Sequence, residues 1–336
     1  MIAVVHLAWG PLGAAPLRGF LSSYRQNPAG AEHELVVLFN GVGAQRSELQ
    51  AELAGFEHRI IELDEPVQDL IAYARAAAVL EHDRVCFMNS YSQLLAPDWL
   101  AKLDRVLDEP QAGIVGATGS WASLRSSVLN LLFLPSPYRG VMPERSIARE
   151  QVIAMNREIE DIGARTGQPS PRAPGADRAD IEPPLPRKLT GAVTMALRTL
   201  LPMPAQLLYF DGFPAEHLRT NAFMAERRLF AGLQFGSLKR KMDAYRLESG
   251  RNSITRQLQR RGLRALVVDR EGDAYEPERW HLSNTFWQAN QERLLVADNQ
   301  TRLYANGGLE RRELLSAYAW GRLARPLAPG SGDRHG

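Results

Sequence analysis

Three short segments of this chain concentrate side chains that can do chemistry. The first, Glu248-Ser249-Gly250-Arg251-Asn252-Ser253, sets a carboxylate, a flexible glycine and a guanidinium side by side. A carboxylate so placed can take a proton from an attacking hydroxyl, the task of a general base. Glu248 is the first choice for that task, and Asp211 or Glu216 the second. The competing reading is a surface ion pair between Glu248 and Arg251, which would contribute little. The second segment, His217-Leu218-Arg219-Thr220-Asn221, packs four polar side chains into five positions. It reads as a binding loop, against the alternative of a helix N-terminus capped by Thr220 or Asn221. The third is Asn89-Ser90-Tyr91, which follows the apolar run Val85-Cys86-Phe87-Met88. Guanidinium forks match the oxygens of anions, and Arg219, Arg251 and Arg256 lie in or just beyond these segments.

Elements must hold these segments in place. Through residue 121 the chain alternates cleanly between strand and helix. Apolar runs at 2–7, 34–39, 58–63, 84–88 and 112–117 read as strands. Between them, 15–26, 47–53, 66–80 and 97–107 read as helices, with Pro66 opening the third. Such alternation predicts an α/β fold, a mostly parallel sheet flanked by helices. Ligands of such sheets sit beyond the carboxyl ends of the strands. Ala8, Trp9, Asn40, Asp64 and the run Asn89-Ser90-Tyr91 stand at those ends. For Asn40 and Asp64 the alternatives are a plain turn and a helix cap. Arg75 lies in an alanine-rich helix and could reach a diphosphate or simply face solvent.

The rest divides by composition. Residues 122–206 read as an insertion or linker, with a helix at 146–162 and a Pro/Gly-rich stretch at 166–186. Residues 207–326 read as an acceptor-side and C-terminal region, containing a basic helical stretch at 237–262 and a strand at 265–268. Residues 327–336 read as a disordered tail. Trp280, His281, Phe286 and Trp287 could stack on sugar rings, though packing against the sheet is the commoner use of such aromatics.

The totals exclude several classes. The 336 residues are 45% hydrophobic and 23% charged, ordinary for a globular protein. A formal net charge of +2 gives no overall pull toward nucleic acid. One cysteine, Cys86, permits no intrachain disulfide and reads as a small buried core residue. The N-terminus reads as a first strand, without the basic region of a signal peptide. No apolar run approaches the roughly 20 residues of a membrane span. The expectation is a soluble cytoplasmic protein. The basic run Lys239-Arg240-Lys241, continuing to Arg260-Arg261, could attract phosphate, anionic glycolipid or the inner face of a membrane peripherally.

The alternation through residue 121 resembles the nucleotide-binding half of GT-A-fold glycosyltransferases. The quoted features are Phe39-Asn40-Gly41 after the second strand, the small-residue helix Ala72 to Ala78, and Asn89-Ser90-Tyr91 after the fourth. Segments 217–224 and 248–256 are similar to those of bacterial glycosyltransferases associated with surface polysaccharides. The resemblance implies a GT-A-like sheet and a nucleotide-diphosphate sugar as donor. It implies donor contacts at Ala8, Trp9, Asn40, Asp64, Arg75, Asn89, Ser90 and Tyr91. It implies an acceptor or diphosphate side at His217, Arg219, Asn221, Arg251 and Arg256, with a saccharide or glycolipid as acceptor. That family holds a divalent metal on an Asp-x-Asp motif where this chain has Asn89-Ser90-Tyr91. A hard cation wants carboxylate oxygens, so these three should hold Mg2+ or Mn2+ poorly. No cofactor beyond the donor is expected and no metal ligand is assigned: either the chemistry runs without a metal, or carboxylates from elsewhere in the chain bind Mg2+ or Mn2+. Two other classes compete. A nucleotidyltransferase would carry a glycine- and lysine-rich loop after its first strand, and residues 7–13 have no lysine. A non-catalytic carbohydrate-binding protein with a decayed donor site is favoured by the missing Asp-x-Asp.

Overall fold

The structure is a computed structural model that describes residues 1–126, 208–236 and 241–326. The helix expected at 146–162, the linker 166–186 and the tail 327–336 lie outside the described residues. The alternating part runs β1 (Ile2–Trp9), α1 (Ala15–Gln26), β2 (His33–Asn40), α2 (Arg46–Glu52), β3 (Arg59–Glu62) and α3 (Asp69–Val79). It continues through β4 (Arg84–Met88), β5 (Gln93–Leu94), α4 (Trp99–Leu107), β6 (Ala112–Gly116) and β7 (Gly119–Ser120). Beyond residue 208 come β8 (His217–Leu218), β9 (Ala222–Glu226), α5 (Arg227–Ala231), α6 (Lys241–Ser249), α7 (Ile254–Gln259) and β10 (Arg264–Val268). The chain closes with β11 (Ala274–Tyr275), β12 (Val296–Ala297), α8 (Asn299–Ala305) and α9 (Leu309–Trp320).

The eight-stranded main sheet has the order β11-β10-β6-β9-β4-β1-β2-β3. The pairs β1–β2, β2–β3, β1–β4 and β6–β10 are parallel, while β9 runs antiparallel to both β4 and β6. This is the mostly parallel sheet that the alternation predicts. Strand side chains alternate between two faces, and helices cover both. Ala3, Val5 and Leu7 enter the apolar layer beneath α3 and α9, while Ile2, Val4 and Ala8 enter the layer beneath α1 and α4. A strand buried on both faces is apolar along nearly its whole length, which is why residues 2–7 read as one run interrupted only by His6. Ala72, Ala76 and Ala77 are fully buried and let α3 lie close on the sheet. Cys86 is also fully buried in β4, where burial pushes its thiol up.

The structure departs from the sequence reading in three places. First, 217–224 forms β8 and the start of β9, where the sequence reading has a binding loop and no strand. The run Ala222-Phe223-Met224-Ala225 is too short for periodicity to separate strand from helix, and it is settled by pairing with β4 and β6. Second, the basic stretch is two helices. Gly250 separates them at a close approach, where an added Cβ would meet the Arg246 carbonyl oxygen at 2.4 Å. Ser253 then caps α7, its Oγ accepting from the Arg256 amide at 3.2 Å. Third, the part beyond residue 208 adds three strands to the main sheet, β9, β10 and β11, where the sequence reading has only the strand at 265–268, and β9 is wedged into the middle. Trp280, Phe286 and Trp287 are buried packing residues. No helix among the described residues is long and apolar enough to cross a membrane.

His6 sits in the middle of this core. Its ring stacks on Phe20 at a centroid distance of 4.0 Å, and neither ring nitrogen has a partner. Burial pushes its pKa down to about 3. An unfolded chain takes that proton near pH 6.5, so the contribution to stability is complete above about 6.5 and is lost as pH falls toward 3. One such group gives a slope of about 1.4 kcal/mol per pH unit in that window. His6→Leu is therefore expected to flatten the acid side of the stability profile by one proton. It should also raise stability at pH 7, since a partnerless buried polar group costs about 1–3 kcal/mol. Urea unfolding from pH 7 to 4 measures both, and identical slopes in the two proteins would refute the account.

Candidate active site

A cleft of about 160 Å³ opens between the start of α3, α6 and the β8–β9 turn, which is bonded to the carboxyl end of β4. Its walls are Gln68, Asp69 and Leu70 at the start of α3, Thr220 between β8 and β9, and Ala244, Tyr245 and Glu248 on α6. Glu248 Oε1 accepts from the Thr220 amide at 3.1 Å and from Thr220 Oγ1 at 3.0 Å. One carboxylate oxygen is thereby fixed on a residue that lines the cleft. The surface pair with Arg251 does not form. Arg251 instead pairs with Asp211 at 2.9 Å, and Arg256 with Glu216 at 3.3 Å. Of the carboxylates singled out as bases, Glu248 alone lines the cleft.

Next to Thr220 stands the turn after β4. Asn89 Oδ1 accepts from the Tyr91 amide and lies within hydrogen-bond reach of Ser92 Oγ, each at 3.0 Å. The Asn89 amide donates to the Asn221 carbonyl at 2.9 Å, and Ser92 Oγ reaches the same carbonyl at 2.9 Å. This is an Asx-type turn whose side-chain oxygen points inward. Ser90 is buried. Arg302 braces the turn from α8, donating to the Tyr91 carbonyl at 3.2 Å and to Gln93 Oε1 at 3.1 Å. Asn89, Ser90 and Tyr91 thus offer no carboxylate, and the one amide oxygen is already engaged. They do not fit a divalent metal, and no step is assigned to one. Among the described residues no group of three or more His, Cys, Asp or Glu side chains could hold a metal ion.

Asn221 and Arg219 share this end of the sheet. Asn221 Oδ1 accepts from Thr118 Oγ1 at 2.6 Å, while its Nδ2 is buried without a partner. Arg219 pairs with the buried Asp298 at 2.9 Å and lies over the Phe286 ring, 4.1 Å from its centroid. Asp298 in turn caps α8, forming a capping box with Thr301. His217 is buried, with Nδ1 2.8 Å from the Ala215 carbonyl, and burial pushes its pKa down against the opposing pull of Glu248. A neutral imidazole results, unsuited to carry charge at neutral pH.

The positions expected to contact the nucleoside divide. Ala8 is buried at the end of β1, and Trp9 pairs in register with Asn40. There the two strand ends nearly touch, since a Cβ on Gly10 would meet the Gly41 carbonyl at 2.2 Å. Asn40 is fully buried, its amide exchanging two hydrogen bonds with the Val67 backbone at 2.8 and 3.0 Å. This clamp holds Pro66 and Val67 out of helical geometry, so α3 starts at Asp69. Asp64 is exposed, and Arg75 is exposed and paired with Glu65 at 3.0 Å. Thr118 stands among the strand-end residues that the sequence marks as informative, while sequence reasoning did not single out Arg302 or Asp298 as site residues. The spacing Asp298-x-x-Thr301 was the available signal for the second.

Partial structural likenesses join this chain to solved glycosyltransferases. A mannosyltransferase from Pyrobaculum calidifontis, in complex with GDP-Man and Mn2+, is 18% identical over 34% of each chain, with a TM-score of 0.28. TarS residues 1–349 from S. aureus is 14% identical over 34% of each chain, with a TM-score of 0.29. Glucosyl-3-phosphoglycerate synthase from Mycobacterium tuberculosis, in complex with Mn2+, UDP and phosphoglyceric acid, is 20% identical. That overlap spans 34% of this chain and 42% of the synthase, with a TM-score of 0.28. No family model matches the chain, and no curated protein matches it. Overlaps so limited leave the functional reading to the geometry of the cleft.

The Asn40 clamp yields a local test. Asn40→Ala removes the partners of a buried amide and a carbonyl, which costs about 1–3 kcal/mol. The expected results are a lower melting temperature and faster hydrogen exchange at the Val67 amide. Unchanged exchange there would show that the clamp does not hold the turn.

Proposed function

We propose that this chain is a glycosyltransferase that moves a sugar from a nucleotide-diphosphate donor to a hydroxyl of a saccharide or lipid-linked acceptor. Glu248 carries the reading. It is a carboxylate on the wall of the cleft beside the β8–β9 turn, oriented through one oxygen by Thr220. A general base must be held in place to meet the proton it takes.

In the proposed reaction the acceptor O–H gives its proton to Glu248. The acceptor oxygen bonds to the anomeric carbon on the face opposite the leaving group. The bond from that carbon to the diphosphate oxygen breaks, and its electron pair leaves with the diphosphate. Configuration is inverted. The nucleoside would lie over Ala8, Trp9, Asn40 and Asp64. Its diphosphate would lie along Asn89-Ser90-Tyr91 toward Arg219 and Arg302, with Arg75 at the margin. His217, Asn221, Arg251 and Arg256 belong to the acceptor and diphosphate side, and Asp211 acts there through Arg251. A hexosyl donor, a part in bacterial surface-polysaccharide synthesis and a cytoplasmic seat at the inner face of a membrane extend this reading. The basic run beginning at Lys239 supports the last of these.

Two measurements test the reading. Isothermal titration with UDP, GDP and dTDP is expected to find at least one that binds. If none does, with or without Mn2+, the transferase reading falls, and glycan binding alone would point to a non-catalytic lectin-like protein. Glu248→Gln is expected to lower kcat by roughly 10²–10⁴ with donor affinity unchanged. Retained kcat would remove Glu248 as the base.

A further inference from the structure

The donor and acceptor inventory at the end of β4 identifies the kind of ligand that fits there. The side-chain oxygens of Asn89, Asn221 and Asp298 around this turn are engaged. Asn89 Oδ1 accepts from the Tyr91 amide and the Asn221 carbonyl from the Asn89 amide, and the one Ser92 hydroxyl proton lies within reach of both oxygens. Asn221 Oδ1 serves Thr118, and the two oxygens of Asp298 serve Thr301 and Arg219. The groups left over are N–H donors. Asn221 is 3% exposed, and its Nδ2 has no partner. Arg219 donates from Nη1 to Thr118 Oγ1 at 3.4 Å and from Nη2 to Asp298, which leaves three of its five N–H groups unassigned. Thr118 Oγ1 gives its proton to Asn221 Oδ1 and accepts from Arg219, so the three side chains form one chain of hydrogen bonds. Arg302 adds a second guanidinium across the same turn. Phe286 backs one face of Arg219 and leaves its edge to the ligand.

A buried surplus of donors is costly unless an oxygen-rich partner takes them. We propose that Asn221 Nδ2 and Arg219, braced by Arg302, form an anion pocket that binds the oxygens of a pyrophosphate group directly, with no divalent cation between. This deepens the transferase reading and rests on it for the natural ligand, the diphosphate of the donor. Asn221 then does with a neutral amide what a metal does elsewhere: it meets the charge that gathers on the leaving diphosphate.

The test uses the full chain and inorganic pyrophosphate as the probe, followed by calorimetry in EDTA and again with Mg2+. Binding in EDTA at least as tight as in Mg2+ is expected. Asn221→Asp keeps an acceptor for Thr118 but turns the donor into an acceptor. It is expected to weaken pyrophosphate by about 10- to 100-fold. Arg219→Lys keeps the charge beside Asp298 but loses the fork, and it supplies a second variant should the first not fold. Binding only with Mg2+, no binding in either buffer, or undiminished binding by both variants would overturn the proposal. The two readings separate cleanly. Pyrophosphate binding in EDTA without turnover of any nucleotide sugar leaves the pocket standing and the transferase fallen. Turnover that requires Mg2+ does the reverse.

Discussion

One backbone hydrogen bond organises this end of the molecule: the Asn89 amide donates to the Asn221 carbonyl at 2.9 Å. It joins the last turn of a parallel strand to the first residues of the antiparallel β9. Thr220 and Arg219, immediately upstream, are placed by that junction, and through them Glu248 and Asp298. The cleft wall, the arginine and the unpartnered amide are thus arranged around one seam. Nothing in either segment alone sets their separation. It follows from two strands lying side by side at the normal sheet spacing.

Electrostatics divides the site along that seam. The cleft wall carries Glu248 and Asp69, with no cationic residue among its lining residues. The opposite side carries Arg219 and Arg302 around the turn after β4. A substrate with a neutral hydroxyl at one end and a diphosphate at the other matches this polarity. Asp298 sharpens it, since a fully buried carboxylate holds Arg219 in one orientation and spends its own second oxygen on a helix cap. Such a guanidinium is preorganised, so little reorganisation is needed when charge develops.

Much of the parallel half was legible because its strands are buried on both faces and read as near-continuous apolar runs bounded by turn residues. The same logic failed at β9. Four apolar residues carry no usable period, and the partners that make them a strand lie more than a hundred positions away. In the site, residue type was legible and partnership was not. The sequence shows that Asn89-Ser90-Tyr91 lacks carboxylates, but the inward bonds of the Asn89 oxygen depend on a turn closed by Ser92. Asn40 was visible as a strand-end amide, while its engagement with Val67 depends on how the chain returns after β3. Arg251 stood beside Glu248 in sequence yet pairs with Asp211, because Gly250 turns the chain between them.

The placement of β9 also governs how the molecule can be assembled and cut. Strand β6 pairs only with β9 and β10, both encoded after residue 208. A fragment ending near residue 121 would leave β6 without any neighbour and β4 with an open edge, an invitation to pair with other chains. The region that looks in sequence like a self-sufficient nucleotide-binding half is therefore an incomplete sheet. Its centre closes only when a distant segment inserts, so loop closure sets the pace of folding. A nascent chain must reach the late strands before any cleft exists. Truncation anywhere before β10 removes a sheet neighbour along with the C-terminal residues.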